Sequence, residues 1–141
     1  MIDIESLVFD TVYTQLHSLF PDANITAGYD EKMAVYPVVL VRETGNVPYR
    51  ASATDDCSEN HARITFEIEV MSNKGDTARG ECKAILNAAD TIMQSMKFRR
   101  IHKNRPLNID RTVYRQYARY EVIVAKGIEV NGNTVYQMYR R

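Results

Sequence analysis

From Asp3 to Phe20 the chain places Ile4, Leu7, Val8, Val12, Leu16 and Leu19 three and four positions apart, with Glu5, Asp10, Gln15 and Ser18 between them. That is the period of a helix with one apolar face. Acids in its first turns complement the positive end of the helix dipole, and Pro21 ends it. A second stripe of this kind, Ala78, Cys82, Ile85, Leu86, Ala89, Ile92, Met93 and Met96, follows the turn Ser72-Asn73-Lys74-Gly75. The spacing predicts a second helix with Asp76 as its cap. The methionines that close the stripe read as core filler.

Elsewhere the period is two. Ile64, Phe66, Ile68 and Val70 alternate with Arg63, Thr65, Glu67 and Glu69, the pattern of a half-buried antiparallel strand. Tyr114, Gln116, Ala118, Tyr120, Val122 and Val124 alternate with Val113, Arg115, Tyr117, Arg119, Glu121 and Ile123 in a second, longer strand. Asn24 to Tyr29 is a short edge-strand candidate, and the run Val35 to Val41 predicts a covered strand starting near Pro37. Thr44-Gly45-Asn46 is expected to turn that strand into a hairpin with Val47 to Arg50. Phe98 to Asn108 is basic and extended, and Asn131-Gly132-Asn133 predicts a hairpin over 128–139. Residues 51–60 are small, polar and acidic, which predicts a mobile loop. The order of helix, strands, helix, strands gives an α+β fold, a mainly antiparallel sheet with two amphipathic helices packed on one face.

A chain of 141 residues can bury one sizeable core, so residues 1–141 are expected to form one domain. No apolar run approaches the roughly 20 residues that span a bilayer, and the acidic N-terminus is not that of a secretory signal. The two cysteines share no ligand or disulfide spacing: Cys82 lies on an apolar helix face and Cys57 in a polar loop, and both are read as free thiols. His17, His61 and His102 are dispersed, and no phosphate-loop, dinucleotide or nucleophile-elbow motif is present. Glu67 and Glu69 with Lys74 faintly resemble a nuclease centre, but the lysine spacing is wrong and a solvated strand face is the expected reading. Catalysis, cofactor binding and metal binding therefore have no support at this level.

Charge changes the picture. The chain is neutral overall, yet Lys97 to Tyr120 holds Arg99, Arg100, Lys103, Arg105, Arg111, Arg115 and Arg119 among tyrosines against the single acid Asp110. Acids gather elsewhere, at Asp3, Glu5 and Asp10, at Asp55, Asp56 and Glu59, and at Glu67 and Glu69. Arginine and tyrosine suit a protein interface or a nucleic-acid backbone equally well. Those seven cations, with Asp55, Asp56 and Glu59, are the interface candidates. Charge reversal at Arg115 and Arg119 is expected to block association and leave the fold intact.

From Ile4 to about Val124 the chain resembles the tail terminator, or tail-completion, proteins of long-tailed bacteriophages. The resemblance is carried by the first helix ending at Phe20-Pro21, the Tyr36-Pro37-Val38-Val39-Leu40-Val41 strand, the polar excursion at 51–60, Arg63 to Val70 running into the second helix, and the closing strand Asp110 to Tyr120. It implies a non-enzymatic structural protein forming a ring, commonly hexameric, that caps the tail tube and joins it to the head connector. The implied location is the head–tail junction of the virion, reached from the host cytoplasm during assembly, with DNA passing through the ring. A head-completion or connector ring protein, and a nucleic-acid-binding module using strand 111–120, are the alternatives.

Overall fold

The computed structural model describes residues 1–28, 35–49, 60–104 and 113–139. Helix α1 spans Glu5–Leu19, followed by strands β1 (Asn24–Thr26), β2 (Val38–Pro48) and β3 (His61–Ser72). A single 3-10 turn at Gly75–Thr77 leads into α2 (Ala78–Ser95), and β4 (Arg99–Asn104), β5 (Tyr114–Val130) and β6 (Asn133–Tyr139) complete the chain. The six strands form one sheet in the order β1-β2-β3-β5-β4, with β6 also on β5. Every pairing is antiparallel except that of β1 with β2. The fold is thus α+β.

Strand alternation decides the layers. Val39 and Val41 of β2, Ile64, Phe66, Ile68 and Val70 of β3, and Ala118, Tyr120, Val122 and Val124 of β5 join one buried cluster. Val8, Val12 and Leu16 of α1 and Cys82, Ile85, Leu86, Ala89, Ile92 and Met93 of α2 meet them there, so both helices cover the same sheet face. Only part of the predicted α1 stripe is used: Leu7 and Leu19 remain 49% and 62% exposed. They flank the stripe, and the helix offers the sheet a narrower arc than its apolar residues could fill.

Two local expectations are corrected. The Thr44-Gly45-Asn46 signal does not make a hairpin: β2 runs on to Pro48, with a register shift between Glu43 and Gly45. A bulge keeps the ladder to β3 intact as far as Ala62, where a turn would have left half of that strand's edge unpaired. Asp76 lies in the 3-10 turn instead of capping α2, and the residue ahead of α2, Thr77, makes no side-chain cap bond; its hydroxyl donates to the Lys74 carbonyl at 3.1 Å. The loop at 51–60 lies outside the described residues except for Asn60.

The end of α2 has a non-glycine residue in a glycine position. Lys97 has φ +73°, its N–H donates to the Gln94 carbonyl, and the Phe98 N–H donates to that of Met93, which is the paired closure of a Schellman motif with Phe98 buried behind it. Lys97→Gly is expected to stabilise the protein by about 0.5–1 kcal/mol, because glycine adopts this conformation without the steric cost. A lower melting temperature in that variant would contradict this.

The C-terminal hairpin turns on Asn131 and Gly132, both with positive φ, and Val130 faces Asn133 across a two-residue loop. A Cβ at Gly127 would lie 2.2 Å from Thr134 Cγ2, so the close packing of β6 requires glycine there.

Candidate interaction surfaces

The described cations of the segment do not form one surface. The β4–β5 register sends its residues to both faces and one edge of the sheet. Arg100 turns to the helix side, where it pairs with Asp90 at 3.0 Å; the same carboxylate oxygen accepts the Tyr120 hydroxyl at 2.8 Å. Burial and this bond hold the Tyr120 phenol far above its usual range. Arg99 lies 3.9 Å from Glu121, which also faces Arg63 at 3.6 Å. Lys103 stands exposed on β4.

Arg115 and Arg119 point to the face opposite the helices, where the register aligns Arg42, Glu67 and Arg119 in one row and Leu40, Glu69 and Tyr117 in the next. Glu67 and Glu69 are only 7% and 4% exposed, which corrects the expectation of a solvated face. Arginines close over them. Arg115 Nε donates to Glu69 Oε1 at 2.6 Å, Arg119 Nε to Glu67 Oε2 at 3.3 Å, and Arg42 Nη2 lies 3.0 Å from Glu67 and 3.9 Å from Glu69. The Arg119 guanidinium also stacks 5.4 Å from the Tyr117 ring. Arginine suits this place because its planar fork satisfies several carboxylate lone pairs at once. Arg115 and Arg119 are therefore committed to holding buried acids, and the expectation that their reversal would spare the fold is withdrawn. Arg105, Arg111, Asp55, Asp56 and Glu59 lie outside the described residues.

Two groups of charge read from the sequence, the N-terminal acids and the cations of β4, stand at opposite ends of the sheet. The first 31 residues contain Asp3, Glu5, Asp10, Asp22, Asp30 and Glu31 and no lysine or arginine. Helix α1 packs on α2 and on β2, at the β1–β2 end of the sheet, while β4 is the strand at the other end. Among the described residues, Asp3, Glu5, Asp10 and Asp22 thus stand toward one lateral end of the sheet and Arg99, Arg100 and Lys103 at the other. Along α1, Phe9, Tyr13 and His17 stack at 6.1 and 5.4 Å, and between α1 and β2 lies a groove of about 220 Å³ with Glu5 and Asp10 at its rim and Val41 and Phe66 at its floor.

Glu43 of β2 lies close to Asp3 and Glu5. Burial first, then repulsion from Glu5 and Asp3, raises its pKa above the ordinary carboxyl value, and its Oε1 is shut from solvent with no hydrogen-bond partner among the described residues. A raised folded-state pKa favours folding fully below the unfolded value of 4.5, and the benefit is lost as pH rises through the folded value. Glu43→Gln is expected to stabilise the protein at pH 7 by about 0.5 kcal/mol, a small figure because solvent screens much of the repulsion. The gain should vanish below pH 4; an equal gain at both pH values would contradict it.

The hairpin carries a third surface. Ile128, Val130, Val135 and Tyr139 are exposed, and the pairings of Ile128 with Val135 and of Ile123 with Tyr139 put them on the face away from the helices. Tyr136 and Met138, between them in sequence, pack on the core.

Cys82 is buried, as read from its stripe. Desolvation, with the Glu81 charge second, pushes its thiol up to about 12, which makes it inert as a nucleophile at neutral pH. His61 and His102 rest against Tyr139 and Tyr117. Among the described residues no group of three or more His, Cys, Asp or Glu is placed to hold a metal ion, and no helix is long and apolar enough to cross a membrane. No protein-family model matches the chain, and no curated protein matches it.

Proposed function

We propose that this protein is a ring-forming structural component of a long-tailed bacteriophage, a tail terminator that caps the tail tube and meets the head connector. The observation that carries the reading is the lateral polarity of the protomer, with acidic α1 at one end of the sheet and basic β4 at the other. Two different, complementary patches on one chain make head-to-tail contacts, and such contacts close into rings when the rotation permits. The exposed apolar stripe of the hairpin supports the same reading, since Ile128, Val130 and Val135 gain a dry contact only from another molecule. The commitment of Arg115 and Arg119 to Glu69 and Glu67 weighs against a nucleic-acid groove built on that strand.

The test is addition of the purified protein to uncapped phage tail tubes. The expected result is a ring at one tube end that stops further tube growth and permits head joining. Failure to bind tubes, together with DNA binding whose affinity falls steeply with salt, would replace this reading with the nucleic-acid one.

A further inference from the structure

We propose that the groove between α1 and β2 docks strand β4 of a second copy of this chain, with Lys103 of the incoming strand reaching the carboxylates at the groove's rim; this rests on the ring-forming reading above. The groove is apolar below and acidic above. Val41 and Phe66 form its floor, Phe9 a wall, and Glu5 and Asp10 its rim. Among the described residues no lysine or arginine of the same protomer pairs with Glu5, Asp10 or Glu43, and repulsion from Glu5 and Asp3 adds to burial in raising the pKa of Glu43 beside them.

Strand β4 has the complementary chemistry. All six of its residues are exposed, and it ends the sheet, with β5 its one strand neighbour among the described residues. Arg99 and Arg100 already face Glu121 and Asp90, whereas Lys103 pairs with no acid among the described residues. A lysine can lay its aliphatic stem on an apolar floor and keep its ammonium at a charged rim, and the neighbouring Ile101, 42% exposed, adds apolar surface. Because groove and strand occupy opposite ends of the sheet, one protomer cannot satisfy both, and each contact leaves a groove and a strand free for the next copy.

The experiment is sedimentation velocity on the full-length protein over a range of concentrations, comparing wild type, Asp10→Lys, Lys103→Asp and the double variant that exchanges the two charges. Both positions are exposed, and unchanged melting curves will show that the fold is retained. Each single variant should raise the concentration of half-assembly at least about tenfold, as expected when an attractive pair becomes a repulsive one, and the exchanged pair should recover most of the loss. Wild-type rings with single variants that assemble equally well, or an exchange that recovers nothing, would overturn the contact and leave the ring reading standing. A wild type that stays monomeric at every concentration would overturn both.

Discussion

Arg115→Glu combined with Arg119→Glu is expected to unfold the domain. Glu69 and Glu67 lie almost wholly out of solvent, and the two arginines supply much of what stabilises their charge. Removing one partner of a buried pair typically costs about 3–5 kcal/mol, because the other charge is left buried and uncompensated. Reversal adds repulsion to that loss, against a total stability of about 5–15 kcal/mol for an ordinary domain. Arg115 should dominate, since its side chain is 26% exposed against 49% for Arg119 and the more exposed charge is better replaced by water. Urea denaturation of the two single variants would show this order. A double variant that melts like the wild type would mean that Glu67 and Glu69 do not depend on these arginines.

Leu86→Asp should be the most damaging single change in α2. Leu86 is 2% exposed within the helix–sheet core. Truncating a buried leucine costs about 2–5 kcal/mol, and an unpaired carboxylate in the same place adds a desolvation penalty of comparable or greater size. The expected product is an unfolded or aggregated chain, visible as lost cooperative melting. Leu7→Gln is the informative contrast: Leu7 belongs to the α1 stripe by spacing but is half exposed, so this variant should melt within about 0.5 kcal/mol of wild type. A native-like Leu86→Asp protein would show that the face carrying Leu86 is not buried.

These two variants also show what could be read from the chain before folding. The helices, the alternation of β3 and β5, and the Asn131-Gly132 turn were legible because each rests on a local period or a residue with one conformational use. The layer assignment followed from that alternation. The charge network was half legible. Glu67 and Glu69 were visible on one polar strand face and Arg115 and Arg119 on another, but opposing them requires the β3–β5 register, a long-range property that neither strand encodes alone. The part played by Arg42 was not legible, because Thr44-Gly45-Asn46 carries the local signal of a turn and the bulge that keeps β2 running there is a tertiary outcome. Segment charge was a poor guide to surface charge, since alternation and the β4–β5 pairing scattered seemingly clustered cations over two faces and an edge. The acids of the N-terminal stretch were legible as a counterweight to the cationic segment, but their position was not, because it depends on α1 lying at the far end of the sheet from β4.

Native mass spectrometry of the purified chain tests the central claim most directly. The account predicts one closed assembly whose mass is a fixed multiple of the 16.2 kDa protomer, six by the phage resemblance, appearing in ring form without a ladder of open intermediates. A mass of one protomer at all concentrations, or an open-ended series of masses, would contradict it.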